Sequence, residues 1–365
     1  MLDLTTVPPS FRATGALGFS GTISANYSPK IAVAENVGIA YALGNATTNQ
    51  FVRVFDVSSD PTGVVTWPSA GDIPIAQEIV PSVGRRDMEV LENNTLLFVT
   101  SGASSSAAAV VLDVFDVSGV PNVLPAAPIQ TLSFAGAGGG AAGLDLSADG
   151  SKLALLLSTD TLAAVTLYDI VVGSLQPLVP SGSFSFQNFT GALTPNDVHF
   201  SPDGTLLFVS GGNGAYAVVN LAASTPTILI DGATWSTNGT TTTHGSAIGI
   251  KDGALVAVLG EPATTGGALY DVLDLNKASS GFGQLVTSFS TNPGANISNH
   301  RSHGRQSIVI AIDGTGATAN CQFVDIIDLA QPSGTGFVAW RVQMPSTTSL
   351  TPAGLSCIPR DFDLF

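Results

Sequence analysis

Histidine and arginine are scarce in this chain of 365 residues, and most of them stand in one class of position. Imidazole transfers protons near neutral pH, and guanidinium binds anions through paired N–H groups. These side chains, with nearby aspartates, fall just before or inside short apolar segments. We interpret three as acids or bases: His199, His244 and His300. Six more are candidates for ligand binding: Arg86, Asp87, Asp197, Arg301, Arg360 and Asp361.

Together these residues can hold a small anionic or lactone-type molecule, with arginine on the anion, histidine transferring a proton and a carboxylate as partner or metal ligand. A structural interpretation stays open, in which the aspartates cap or bridge neighbouring strands through backbone hydrogen bonds and the arginines are their ion-pair partners. His300 and His303 have a spacing that can present two metal ligands, but no third is identifiable, so the metal is left unknown. The glycine tract at 135–140 lacks a following Lys-Ser/Thr, so no cofactor is assigned.

Composition excludes several partners. The formal net charge is −15, from 12 Lys+Arg against 27 Asp+Glu. Nucleic-acid binding depends on clustered basic residues, so we do not expect it. The longest apolar runs are of strand length, well short of the roughly 18 residues that cross a membrane, so no membrane insertion is expected either.

One short pattern recurs along the chain: an apolar segment that ends in an acidic or amide residue flanked by apolar ones. The spacings between its central residues are 60, 53, 51, 54 and 54. A period of this size is typical of a propeller or solenoid. Because the pattern recurs in every evident repeat, we interpret it as part of the scaffold and not of a site. Its central residues are Asp56, Asp116, Asp169, Asn220, Asp274 and Asp328.

A second pattern precedes several of these segments, namely two apolar segments joined by a tight turn. The turns Ser147–Gly150 and Ser201–Gly204 both contain Asp-Gly, which favours a β-hairpin because these residues tolerate positive φ. Each repeat therefore contains four strands, which we call A, B, C and D, and this is the composition of a β-propeller blade. Aligning the A strands by their hairpins gives one set of equivalent positions: Lys30, Asp87, Gly143, Asp197, Ala247 and Asp361.

The sequence thus predicts an all-β, single-domain β-propeller over residues 1–365. The six evident blades are expected at about 29–85, 86–141, 142–195, 196–245, 246–296 and 297–350. A seventh combines 351–365 with 1–28, and its fourth strand is expected around Thr14 to Ser20. Because the chain stops where a strand B should follow, this blade is stunted, completed by another copy in a homo-oligomer, or short of native residues.

Two segments, Pro195–Gly204 and Ile358–Leu364, resemble those of the lactonase-like seven-bladed propellers, which include the YVTN-repeat surface proteins. The resemblance is one of repeat architecture and extends over the whole chain. It implies a ligand-binding, hydrolytic or cyclase site at the mouth of a central channel. The same superfamily also includes proteins without catalysis, so the resemblance assigns no residue a role.

Two functions therefore remain in view. One is a lactonase-like enzyme or binder of a small molecule, and the other is a non-catalytic secreted, cell-surface or virion propeller that binds protein or glycan. Six Asn-X-Ser/Thr sequons favour an extracellular or virion-surface location, although no secretory signal stands in the numbered chain. Cys321 and Cys357 form one disulfide or remain two thiols.

Overall fold

The computed structural model describes residues 2–3, 10–11, 31–46, 49–56, 69–75, 87–102, 109–135, 142–158, 163–189, 195–211, 214–223, 225–234, 245–262, 268–291, 296–301, 308–314, 321–330 and 338–343. Nearly all regular structure in these ranges is antiparallel β, with one short 3-10 helix at Glu35–Val37. No helix in the described part of the chain is long and apolar enough to cross a membrane.

In the described ranges, twenty-six strands follow one another in chain order. They are β1 (Leu2–Asp3), β2 (Ser10–Phe11), β3 (Ile31–Ala34), β4 (Ile39–Ala46), β5 (Asn49–Asp56), β6 (Ser69–Ile75), β7 (Met88–Val90), β8 (Leu96–Gly102), β9 (Val110–Asp116), β10 (Gln130–Phe134), β11 (Ala142–Leu146), β12 (Lys152–Ser158), β13 (Ala163–Ile170), β14 (Leu178–Ser185), β15 (Pro195–Phe200), β16 (Leu206–Gly211), β17 (Ala215–Asn220), β18 (Thr227–Thr234), β19 (Gly245–Lys251), β20 (Ala254–Pro262), β21 (Ala268–Asp274), β22 (Leu285–Thr291), β23 (Asn296–Arg301), β24 (Ile308–Gly314), β25 (Cys321–Asp328) and β26 (Val338–Gln343).

β1 and β2 pair with each other, and the other twenty-four described strands form six four-stranded sheets, each in the sequential order A–B–C–D. They are β3–β6, β7–β10, β11–β14, β15–β18, β19–β22 and β23–β26, which we number blades 1 to 6. Each first strand begins within two residues of the predicted blade start. The blade composition predicted from the repeats is therefore confirmed for all six.

The predicted seventh blade falls mostly outside the described residues. Leu2–Asp3 is a strand, as expected, but its antiparallel partner is Ser10–Phe11, earlier in the chain than the predicted range. That range and residues 351–365 lie outside the described part of the chain. The completeness of this blade and its completion by a second copy stay predictions.

Burial decreases from the inner to the outer strands of a blade. Every residue of β16 is buried, and so is every residue of β9 except its last. Such continuous apolar runs are typical of strands covered on both faces. In β10 exposed residues alternate with partly buried ones, as expected of a strand with one face towards solvent, and most residues of β14 are exposed.

The chain divides into two compact units, residues 15–198 with 362–365, and residues 1–14 with 199–361. In the first, one apolar cluster joins blades 1 and 2 around Tyr41 and Phe115, and another joins blades 2 and 3 around Phe98 and Tyr168. In the second, a cluster around Phe208 and Leu259 joins blades 4 and 5. Another, around Tyr270, joins blade 5 to Ile327 of blade 6. Blades thus bury their faces against neighbouring blades within each unit.

The A–B turns of blades 3 and 4 have the same internal hydrogen bonds. Asp149 Oδ1 accepts from Ser147 Oγ at 2.7 Å and from the Ser151 backbone N–H at 3.0 Å. Asp203 accepts equivalent bonds from Ser201 and Thr205. The glycine after each aspartate has φ of +66°, a conformation that favours glycine. The shared Ser-X-Asp-Gly sequence therefore specifies one turn geometry.

The repeated strand C signature is structural, as predicted. Asp116, Asp274 and Asp328 each accept a hydrogen bond from the backbone N–H two residues later, at 3.0, 2.8 and 3.0 Å. Asn220 accepts the same bond at 3.2 Å. The side chain of this residue ends strand C, because it accepts a backbone hydrogen bond that a carbonyl of the neighbouring strand would otherwise accept.

The turn aspartate of blade 3 gives the first testable prediction. Hydrogen bonds from Ser147 and Ser151 lower the pKa of Asp149 below its usual value. The carboxylate therefore stabilises the folded chain above the unfolded-state pKa, and this contribution is lost as the pH falls through the folded-state value. We expect the stability difference between wild type and Asp149→Asn, measured by urea unfolding, to shrink from pH 7 to pH 3. A difference that does not vary with pH would contradict this.

Candidate functional site

The predicted site residues are only partly described. Arg86, His244, Arg360 and Asp361 lie outside the described residues, so their proposed roles stay predictions. His300 and Arg301 are the last two residues of β23, and only their backbone positions are described. The side chains of Asp87, Asp197 and His199 are described.

Asp87 lies immediately before β7 and is 3% exposed. Its Oδ1 accepts a hydrogen bond from the backbone N–H of Met88 at 3.0 Å. Its Oδ2 accepts one from the backbone N–H of Leu144, in strand A of blade 3, at 2.9 Å. Each carboxylate oxygen therefore serves a backbone amide, and the second bond links blade 2 to blade 3. This geometry matches the structural interpretation of the A-strand aspartates.

The backbone of Asp87 is also engaged. Its N–H donates to Thr100 Oγ1 at 2.6 Å, and its carbonyl accepts from the Thr100 N–H at 2.9 Å. Thr100 is itself fully buried. The side chain is thus held in one orientation by strand B of its own blade while it reaches the next blade. A carboxylate fixed in this way is suited to joining strands.

Removing this carboxylate should destabilise the fold. We expect Asp87→Ala to lower the free energy of unfolding by roughly 1–3 kcal/mol, because the buried Leu144 N–H loses its acceptor. Asp87→Asn, which keeps one acceptor oxygen, should lose less. Urea unfolding of both variants would measure this, with the exposed Glu92→Ala of the same blade as a control expected within about 0.5 kcal/mol of wild type. An Asp87→Ala variant as stable as that control would exclude the bridging role.

Asp197 and His199 lie on β15. Asp197 Oδ1 accepts a hydrogen bond from the Val198 N–H at 3.1 Å, the same local contact that Asp87 makes with Met88. His199 is buried, with 7% of its surface exposed. The predicted position of both residues on strand A is confirmed, and the proton-transfer role of His199 stays a prediction.

The strand register corrects the alignment of A strands in blade 5. Ser246 pairs with Leu259, which pairs with Asp271, and Met88 pairs with Val99, which pairs with Asp113. Ser246 is therefore the equivalent of Met88, so Gly245, and not Ala247, occupies the Asp87 position. The alignment was wrong by two residues because this blade has a two-residue turn, Asp252–Gly253, between longer strands.

The same comparison places the candidates of blade 6. His300 pairs with Ala311, which pairs with Asp325, so His300 is the equivalent of Met88. The Asp87 position in this blade is held by Asn299. His300 and Asn299 are thus adjacent register positions of strand A in this blade, and the proton-transfer role proposed for His300 stays a prediction.

A polar set missed by the sequence analysis lies three residues before the strand C signature in several blades. Arg53, Asp113 and Asp271 occupy this position in blades 1, 2 and 5, and each pairs across the sheet with a polar residue of strand D. Arg53 binds Asp72 through two nitrogens at 2.7 and 2.9 Å. Thr131 Oγ1 donates to Asp113 at 2.6 Å, and Ser288 Oγ donates to Asp271. The fixed offset from the signature is the signal that would have revealed this set.

Asp113 gives a pH prediction of the opposite sign to Asp149. Burial raises the pKa of Asp113, and the Thr131 hydrogen bond only partly offsets this. The folded state therefore favours the protonated carboxyl, and the contribution of the group to stability falls as the pH rises from the unfolded-state pKa through the folded-state value. We expect the stability of wild type minus that of Asp113→Asn to be larger at pH 4 than at pH 7. An increase with pH, as expected for Asp149, would contradict this.

No metal-binding cluster is found among the described residues, in which no three His, Cys, Asp or Glu side chains are arranged to hold an ion. Buried hydroxyls also serve the scaffold. Tyr41 in blade 1 donates to Asn94 Oδ1 in blade 2 at 2.5 Å, and Tyr216 in blade 4 donates to the Gly283 carbonyl in blade 5 at 2.6 Å. Burial raises the pKa of both phenols, which keeps them protonated as donors.

The exposed large apolar side chains are concentrated at one end of the blades. We call this the A–B/C–D end, because it carries the A–B turns and the C–D connections. Among the residues whose exposure is described, every exposed large apolar residue lies in one of these connections or among the first three residues of a strand D. They are Val37, Val123, Val171, Val172, Leu175, Val179, Ile228, Leu229, Leu285 and Val286.

Comparisons with known proteins identify the fold but no family. No protein-family model and no curated protein matches the sequence. Among solved structures, a chain of the mitotic checkpoint complex is 10% identical with a TM-score of 0.53, covering 93% of this chain and 83% of that one. The Kuenenia stuttgartiensis hydrazine synthase is 14% identical with a TM-score of 0.54, covering 82% of each chain. This chain is a β-propeller. The likeness shows the fold alone, and membership of the lactonase-like superfamily stays a prediction.

Proposed function

We propose that this chain is a non-catalytic β-propeller that binds a partner protein through the A–B/C–D ends of blades 1 to 3, which belong to one compact unit. The observation that carries the proposal is the set of exposed apolar side chains at that end of these blades: Val37, Val123, Val171, Val172, Leu175 and Val179. Exposed apolar clusters on soluble proteins mark interaction sites more often than isolated residues do. The A–B turn of blade 3, at the same end, is held in one conformation by side-chain hydrogen bonds.

The candidate residues support the non-catalytic alternative. Both carboxylate oxygens of Asp87 are engaged by backbone amides, so it belongs to the scaffold. The buried carboxylates of Asp113 and Asp271 pair with hydroxyls of their own sheets. One of the solved structures similar to this chain is part of an assembly, the mitotic checkpoint complex. That assembly favours, by analogy only, a protein partner over a small molecule.

Two measurements together test this function. The first is a panel of lactones and esters incubated with the purified chain and with the His199→Ala and Arg360→Ala variants. We expect no turnover above the buffer rate. Hydrolysis by wild type that is lost in either variant would favour a lactonase-like enzyme over the non-catalytic function proposed here.

The second measurement is partner capture from an extract of the source organism. The matched control is a variant in which four exposed residues of blades 2 and 3 are replaced by serine, Val123, Val171, Val172 and Leu175, all of which are at least 47% exposed. We expect a protein that binds wild type and not this variant, with binding reproduced by the purified pair. A partner held equally by the variant would exclude the A–B/C–D ends as the binding surface.

A further inference from the structure

The C–D connection of blade 3 holds the most exposed apolar cluster among the residues whose exposure is described. Leu175 is 81% exposed, Val172 is 52%, and Val171 and Val179 are both 47%. We call these four residues the apolar projection of blade 3. Four aliphatic side chains within nine residues, exposed together, are unusual for a surface that only meets water.

Hydrogen bonds hold this connection in one conformation. The Val171 N–H donates to the Pro177 carbonyl at 2.8 Å, which closes the loop, and the Ser174 N–H donates to the Val171 carbonyl at 3.2 Å. The Gln176 N–H donates to Ser174 Oγ at 3.1 Å. Gly173 has φ of +83°, which the tight turn requires. The aliphatic side chains are therefore presented by a closed turn.

The base of the projection is fixed to blade 2. Gln130 donates through Nε2 to the Leu178 carbonyl at 3.3 Å and accepts at Oε1 from the Leu178 N–H at 2.8 Å. Leu178 itself is 3% exposed and packs in the cluster shared by blades 2 and 3. A partner that binds here has little loop entropy to remove, which is a main cost of binding at exposed connections.

Acidic groups lie at the same end of blades 2 and 3 as the projection. The Ile170 N–H donates to the Ser151 carbonyl at 2.8 Å, so the connection begins beside the A–B turn that holds Asp149. Glu92, Asp116 and Asp149 are exposed, and Asp169 is half-exposed and binds Lys152. Blades 2 and 3 thus have four carboxylates and one lysine at this end. The hydrogen bonds from Ser118 and Ser147 lower the pKa of Asp116 and Asp149, so both are ionised near neutral pH.

These acidic groups distinguish between two possible binding partners of the apolar projection, a second copy of this chain and a basic protein segment. A second copy of a chain with net charge −15 would place like charges opposite one another at the rim of the contact. Like charges across an interface oppose association, whereas complementary charges steer it. The surroundings of the projection therefore favour a basic occupant over self-association.

We propose that the apolar projection of blade 3 is a docking surface for a segment of a partner protein in which aliphatic or aromatic residues alternate with lysine or arginine. The proposal rests on the function proposed above and adds the place and the chemistry of the partner. Leu175, as the most exposed member, would be the central contact, and the carboxylates of blades 2 and 3 would contact the basic residues at the rim.

The test uses a phage-displayed library of random twelve-residue peptides, selected on the immobilised full chain. We expect enrichment of sequences that combine large apolar residues with lysine or arginine. A synthetic peptide from the enriched set should bind roughly tenfold or more weakly to Leu175→Ser than to wild type, as is typical of a central interface residue. Its affinity should also fall as NaCl rises. The matched control is Val286→Ser, which removes an aliphatic side chain 50% exposed in blade 5 and should bind as wild type does.

Peptides without basic residues, or peptides that bind Leu175→Ser as tightly as wild type, would overturn this inference and leave the proposed protein-binding function intact. Concentration-dependent dimerisation of wild type that Leu175→Ser abolishes would identify a second copy as the occupant and would overturn it too. If the second capture measurement above also yields no partner, the proposed function itself fails. Thermal unfolding of each variant, expected to match wild type because both positions are exposed, excludes misfolding as the cause.

Discussion

Within each compact unit, the structure depends on the burial of blade faces against neighbouring blades. A single four-stranded sheet with continuous apolar inner strands would expose apolar surface on each face. In residues 15–198 this surface is covered pairwise, with Leu97 of blade 2 packed towards blade 1 and the next residue of the same strand, Phe98, packed towards blade 3. Successive residues of one strand thus belong to different cores, which explains why the inner strands lack the alternation of a sheet with a solvated face.

This burial determines the role of the polar residues on the middle of the blades. A polar group between two apolar faces must find a partner there, because an unpaired buried donor or acceptor is costly. Asp87 satisfies two amides, Asp113 receives a threonine hydroxyl, and Tyr41 reaches Asn94 of the next blade. These residues join or fix sheets. Surface available for recognition then lies at the ends of the blades, where connections differ from one blade to the next.

The sequence predicted the elements well, because the signals that specify them are local. An acidic residue that turns the chain after strand C and a Ser-X-Asp-Gly turn after strand A work within a few residues, so the repeat was visible without contacts. It was harder to predict from the sequence which residues occupy equivalent positions in different blades. Blade 5 replaces the longer turn with Asp252–Gly253, whose positive φ values of 52° and 79° fit a two-residue hairpin and shift the A strand by two residues. The role of Asp87 was also undecided, since only the distances to Met88 and Leu144 separate a bridge from a free carboxylate.

The exposed projection of blade 3 illustrates why a candidate surface is harder to predict than a fold. Val171 and Val172 directly follow the strand Ala163–Ile170, and an apolar pair there reads as the continuation of a buried strand. The hydrogen bond from Val171 to Pro177 closes the connection instead and leaves both side chains outside the core. Burial of Pro177 and Leu178 compensates by anchoring the returning strand. The connection thus buries the residues that lead into strand D and exposes the aliphatic residues at its tip. The blade does not need this exposed apolar surface in order to fold, and such a surface is typical of a contact with another molecule.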